Sequence, residues 1–205
     1  MHVTKYPQSC LVVEVEGARL LIDPGVFVTA TYEPDELGEI DAVLYTHRHA
    51  DHVDPELAAT LVERGVELFG NADVCDLLAE VAVTEIADGQ TFEAAGVEVA
   101  AHDLPHVELV DGSAGPPNTG FLVAGRLFHP GDGLEITGLQ ASAVAAPISG
   151  PSISFRDAYR FVQRLGARTV VPIHYDLFTA DPEHFARVCD LAEVVPLADG
   201  GRTEV

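Results

Sequence analysis

The run THRHADH at residues 46–52 sets His47, His49, Asp51 and His52 within six positions. It follows an apolar stretch, residues 40–45, that reads as a strand, and it precedes Asp54 and Pro55, an N-cap and a proline suited to a helix's first turn. Leu57, Ala58, Leu61 and Val62 then recur at helical spacing until Gly65 stops them. The histidines therefore occupy a loop between a strand's end and a helix's start. Imidazole nitrogen and carboxylate oxygen are the ligand set of a catalytic zinc or similar divalent ion. Alternate residues of an extended segment point the same way, so His47 and His49 can grip one metal, with Asp51 and His52 placed for a second. The bland alternative is a set of solvated loop histidines, but a chain with nine histidines has little reason to gather three of them there.

The strand-to-helix order recurs along the chain. Residues 10–15 and 19–22 read as two strands joined by a turn at Glu16 and Gly17. Residues 66–69 read as a strand, Asn71 as the cap of a helix carrying Val74, Leu77, Leu78 and Val81, and residues 83–86 as a further strand. Residues 90–101 and 120–128 are strand-like, with turns at Ala95-Gly96 and Gly125-Arg126. Ser152 or Ser154 can cap a helix with Ala158, Phe161, Val162 and Leu165 on one face, closed by Gly166 and followed by a strand at 168–173. A last helix starts at Asp181 and Pro182, with Phe185, Val188, Cys189 and Ala192 inward. This order implies a mixed α/β (α+β) fold, and two packed sheets with helices outside fit it, although periodicity alone does not separate that from other α/β layouts. With 205 residues, 47% of them hydrophobic, the expectation is a single domain spanning 1–205.

Composition narrows the function classes. Eleven basic against 33 acidic residues give a net charge of −22, which repels nucleic acid and anionic membrane surfaces. Cys10, Cys75 and Cys189 are far apart and form no CxxC pair, so neither a disulfide framework nor a thiolate metal site is suggested. No signal-like or membrane-spanning apolar run is present, and the expected location is cytoplasmic.

More candidate ligands lie downstream, each just beyond an expected strand: His106, Asp132 in FHPGDG and His174 in VVPIHYD. With LLIDPG at residues 20–25, THRHADH, HPGD and VPIHYD, the chain resembles a metallo-β-lactamase-fold hydrolase over nearly its whole length. It is most similar to the small stand-alone members of the ascorbate-phosphate-lactonase-like branch. That resemblance implies a four-layer αββα sandwich. It also implies one metal on His47, His49 and His106, a second on Asp51, His52 and His174, and Asp132 bridging both. His102 is a rival to His106; the branch's spacing favours His106, which stands twelve residues before Asn118. His129 and Asp23 are expected as outer hydrogen-bond partners of the ligands. Asp23 could equally be a turn residue before Pro24. His2 and His184 are expected on the surface.

The chemistry such a site implies is hydrolysis, because two divalent ions sharing a water make hydroxide available at neutral pH. Asp51 would orient it or accept its proton, and His129 or Tyr175 could donate to the leaving group. Arg48 could meet an anionic substrate, although a surface ion pair is its commoner role. Residues 26–34, with Phe27 and Tyr32, are a possible pocket wall, and residues 112–117 a possible lid. The expected function is a metal-dependent hydrolase of a small ester, lactone or phosphodiester, with zinc the first choice of metal and manganese or iron as options. The competing readings are a non-catalytic metal-holding or regulatory protein, a nuclease, and an iron-containing redox member. The expected partner is a small-molecule substrate, with no nucleic acid and no membrane, and self-association is left open.

Overall fold

The structure is a computed structural model that describes residues 1–178 and 180–205. Its fourteen strands are β1 (His2–Lys5), β2 (Leu11–Val15), β3 (Ala18–Ile22), β4 (Ala42–Tyr45), β5 (Glu67–Gly70), β6 (Val83–Glu85), β7 (Thr91–Ala94), β8 (Val97–Asp103), β9 (Thr119–Val123), β10 (Leu127–His129), β11 (Ala143–Pro147), β12 (Thr169–Ile173), β13 (Glu193–Val194) and β14 (Arg202–Glu204). The helices are α1 (Val26–Thr29), α2 (Pro55–Glu63), α3 (Ala72–Leu77), α4 (Phe155–Leu165) and α5 (Pro182–Val188).

Local chemistry accounts for most of these elements. The β2–β3 hairpin closes on Glu16 and Gly17, whose φ angles of +55° and +90° match the twist of a tight hairpin. Asp54 caps α2 by accepting from the Glu56 and Leu57 amides, and Asn71 caps α3 through Val74. Ser154 and Asp157 form a capping box at α4, which ends on left-handed Gly166.

Two seven-stranded sheets result, ordered β14-β1-β2-β3-β4-β5-β6 and β13-β12-β11-β10-β9-β8-β7. In each, antiparallel hairpins pass into a parallel segment: β3 through β6 in one, β10 through β13 in the other. Strand side chains alternate between two cores. Leu20, Ile22 and Leu44 meet Phe121, Val123 and Val171 between the sheets. Val43, Tyr45 and Leu68 turn outward to Leu57, Leu61 and Val74, while Val144 and Val170 receive Phe161, Leu165 and Phe185. Burial on both faces explains why these strands read as continuous apolar runs. The layers are therefore helix, sheet, sheet, helix, as the resemblance implied.

Several elements differ from the sequence reading. The strand β1 escaped it because Lys5 stands at a fully buried position, paired with Asp176 at 2.9 Å and Asp199 at 2.8 Å. The strand β11, AVAAP, escaped because alanine and proline are poor strand formers, although all five residues are buried in a parallel segment. The helix expected to reach Val81 stops at Leu77, and Val188 on α5 is 49% exposed rather than inward. Among the described residues, no helix is long and apolar enough to cross a membrane.

The topology has one consequence for function. Within each sheet, the strands preceding Gln8, Asp23, His47, His106, Asp132 and His174 run the same way, so their carboxyl ends open on one edge. Loops at such an edge are free to carry chemistry while the strands hold them fixed.

Candidate metal centre

At that edge, ligand-type atoms of His47, His49, His106 and Asp132 lie within 4.8 Å of one another, and those of Asp51, His52 and His174 form a second such group. Asp132 stands between the two. Its Oδ2 is 3.6 Å from His106 Nε2 and 3.2 Å from His174 Nε2, and its Oδ1 is 3.4 Å from His52 Nε2. Asp51 Oδ2 is 3.2 Å from His174 Nε2 and 3.8 Å from His52 Nε2.

The imidazoles are held from behind. Asp23, fully buried, accepts from the Thr46 amide at 2.8 Å, the Thr46 hydroxyl at 2.7 Å and His52 Nδ1 at 2.8 Å. The Thr46 oxygen in turn takes the His47 Nδ1 proton at 3.1 Å, so one carboxylate aligns two rings. His106 Nδ1 donates to the Val107 carbonyl, and His174 Nδ1 to that of Ser149, both at 2.6 Å. In its neutral form each of these four rings would carry its proton on Nδ1 and turn the Nε2 lone pair toward the cluster, the arrangement that outer partners impose on metal-ligating histidines. The His47 Nε2 and His49 Nδ1 atoms stand 3.1 Å apart. Two nitrogens on one tetrahedral zinc at ordinary bond lengths are separated by about 3.3 Å.

Charge is concentrated here. Burial pushes the His47 and His49 imidazoles down, with their neighbouring histidines adding to the effect. Burial works the same way on His174, but the Asp132 and Asp51 carboxylates outweigh it and lift the group to about 10; Asp132 and Asp23 likewise raise His52. Burial opposes ionisation of Asp132, yet His174 and His52 hold its carboxyl well below the usual range; Asp51 is lowered similarly, chiefly through His174. The carboxylates thus gather positive charge around themselves. A divalent cation would supply that charge once protons leave the histidines.

The remaining candidates divide. His102 lies on β8 with its ring edge-on to Phe128 at 6.2 Å, outside both groups, whereas His106 is inside one. The difference arises because β8 ends at Asp103 and the chain then turns toward the cluster. His129 is fully buried and donates from Nε2 to the Ser9 carbonyl at 2.8 Å; it fastens the HPGD turn and does not reach a substrate as a proton donor. Tyr175 points elsewhere too, its hydroxyl bound to the Leu197 carbonyl and its ring beneath Lys5. Arg48 pairs with Asp73 at 2.9 Å, the surface role. The expected wall at 26–34 forms α1 and a bend in which Tyr32 packs on Tyr6. The cavity over the cluster is walled instead by residues 106–111, just before the expected lid. Within that lid, Gly115 lies so close to His106 that a Cβ there would come 2.3 Å from Nδ1.

Sequence reading passed over four positioning residues. Gln8 donates to Asp51 Oδ2 at 3.3 Å, and its carbonyl accepts the His174 amide at 2.9 Å. Asn118 accepts the Asp132 amide and donates to the Pro130 carbonyl. Asn71 and Thr46 tie the first sheet to Thr119 of the second. Gln8, Asp23 and His174 all have positive φ, between +51° and +61°, a strain concentrated at this edge. Replacing Gln8 by Ala is expected to weaken metal binding by about 10–100-fold while the chain stays folded, as chelator competition would measure. Unchanged affinity would mean that Asp51 needs no such support.

The family model described as the Beta-lactamase superfamily domain matches residues 2–174. A UPF0173 protein of Pyrococcus furiosus is 31% identical over 201 residues, covering 91% of this chain and 90% of its own. A UPF0173 metal-dependent hydrolase of Pyrococcus horikoshii is also 31% identical, over 212 residues, with 91% and 92% covered. Among solved structures, the metallo hydrolase Igni18 of Ignicoccus hospitalis superposes with a TM-score of 0.80 at 23% identity, over 100% of this chain and 98% of that one. At that identity the likeness speaks for the fold alone.

Proposed function

We propose that this chain, which belongs to the β-lactamase superfamily and is one of its metal-dependent hydrolases, holds two divalent ions and cleaves a small ester, lactone or phosphodiester. One observation carries the reading. His52 Nε2, His106 Nε2 and Asp132 Oδ1 are buried without a hydrogen-bond partner, and all three turn into the cluster. Buried polar atoms left unpaired are costly, and two cations, one beside His106 and one beside His52 with Asp132 between them, would satisfy all three. The donor set, imidazole and carboxylate without thiolate, suits zinc, manganese or iron, with zinc preferred.

In this reading His47, His49 and His106 hold one ion, Asp51, His52 and His174 hold the other, and Asp132 joins them. Ions bound there supply Lewis acidity and bring a shared water's pKa toward neutrality. The rest is the chain's own work. Asp51 is the more open carboxylate, 21% exposed against 7% for Asp132, and it lines the cavity. Ionised and steadied by Gln8, it can accept a hydrogen bond from an attacking water and orient it. Asp23 and Thr46 keep the imidazoles from turning as charge develops. A nuclease reading lacks support, because among the described residues no Lys or Arg lines this cavity to hold a phosphate backbone.

The test is elemental analysis of protein purified without chelator, followed by a panel of esters, lactones and phosphodiesters. About two ions per chain and turnover of at least one of these classes are expected. A folded chain that takes up no zinc, manganese or iron would overturn the assignment.

A further inference from the structure

The cavity over the cluster has a volume of about 520 Å³, within the ordinary range for a small-molecule site. Away from the metal-ligand side most of its wall is apolar, from Val107, Leu109, Val110, Pro151, Ile153 and Phe178, interrupted by the Ser152 hydroxyl and the Glu108 and Asp111 carboxylates. Phe178 also stacks on the His174 ring at 5.6 Å, which carries the apolar wall up to the ligands themselves. Leu109 is 37% exposed and Val110 78% exposed, and both line the mouth; Leu177, beside Phe178 in the chain, is 51% exposed. Such large apolar side chains kept in water at a cavity rim mark a surface that meets apolar matter.

Charge completes the picture. The charged side chains lining the cavity beyond the histidines are Asp51, Asp132, Glu108 and Asp111, all carboxylates. Arg160 and Arg164 line a neighbouring cavity that shares residues 106–110 with this one, and Arg48 is taken by Asp73. Ions bound in the cluster could face a charged reacting group, but among the described residues no cationic side chain lines the wall further out. A phosphate or carboxylate on the substrate's arm would be desolvated there without a cationic partner, beside Glu108 and Asp111.

We propose that the substrate is an ester or lactone with an uncharged apolar arm, which lies along Val107, Leu109, Val110, Ile153 and Phe178 while the scissile carbonyl sits at the histidine cluster. The proposal rests on the hydrolase reading, and its test separates the two. Metal-loaded protein is assayed with p-nitrophenyl acetate, p-nitrophenyl hexanoate and mono-p-nitrophenyl adipate. The last two share chain length and leaving group and differ in a terminal methyl against a carboxylate. Burial of each added methylene is worth up to roughly fourfold in kcat/KM. The hexanoate is therefore expected to exceed the acetate by about tenfold or more, with the adipate at or below the acetate. Val110→Arg, at an exposed wall position, should shift the adipate-to-hexanoate ratio toward adipate. An adipate ester cleaved as well as the hexanoate would overturn the apolar arm and leave the hydrolase intact. If no ester is cleaved, hydrolysis of carboxylic esters falls, and the arm is judged by saturation-transfer NMR with hexanamide and adipamate. In that case the ester assignment is overturned, binding of hexanamide alone supports the apolar arm by itself, and binding of adipamate, or of neither, overturns the arm as well.

Discussion

Replacing Asp132 by Ala empties both halves of the candidate centre, whereas replacing His49 by Ala empties one. Elemental analysis should find near zero ions per chain in the first variant and about one in the second, against about two in the parent. The reason is position. Asp132 approaches His106 of one group and both His52 and His174 of the other, while His49 belongs to one group only. Hydrolysis by the Asp132 variant should fall by more than about 100-fold, a larger loss than removing an outer partner such as Gln8 would cause. Asp132→Asn supplies the control for shape, since it can keep the backbone bond to Asn118 while losing the charge that His52 and His174 face. If Asp132→Ala and His49→Ala lost equal amounts of metal, the bridging assignment would be wrong.

Which parts of this site were legible in the sequence follows from how each residue acts. Ligand candidates stand out because each is a polar residue placed directly after an apolar run, as His47 follows β4 and His174 follows β12. Burial on both faces of the central strands made those runs continuous, so strand ends were easy to place. Gln8 left no such trace. It stands between β1, disguised by the inward Lys5, and β2, and it acts through a backbone carbonyl and one amide group that no spacing reveals. The choice of His106 over His102 turned on where β8 stops and the chain bends, and β8, only partly buried on alternate residues, has no continuous apolar run to mark its end. Arg48 and Tyr175 lie beside ligands in the chain yet turn from them, because neighbours on a strand or loop alternate in direction. Chain proximity identified the loops; side-chain direction within them needed the fold.

The LLIDPG motif gains a meaning from the structure that its letters conceal, and it sets the second large effect. Asp23 of this motif aligns the imidazoles, but Gly25 acts by being small. A Cβ at Gly25 would stand 2.1 Å from the Asp51 carbonyl carbon and 2.5 Å from the His52 amide nitrogen. The obstruction is backbone, so no side-chain rotation relieves it. The contact is also pinned at both ends: the Val26 amide donates to the Ala50 carbonyl at 2.8 Å, and the Asp54 amide to the Pro24 carbonyl at 3.2 Å. An added methyl must therefore push the ligand loop outward, moving Asp51 and His52 from their partners. Gly25→Ala is expected to cost about 3 kcal/mol or more of folding stability, at or above the upper end for overpacked interiors, and to lower metal affinity with it. Gly65→Ala is the proper comparison. Gly65 has φ +85° but nothing within 4 Å of the added Cβ, so it should lose only the left-handed backbone cost of about 1–2 kcal/mol and leave metal binding unchanged. Urea unfolding of the metal-free variants, with chelator competition on the loaded ones, separates the outcomes. Were Gly25→Ala as mild as Gly65→Ala on both measures, the ligand loop would be free to shift, and its close seating on LLIDPG could not be what holds Asp51 and His52 in place.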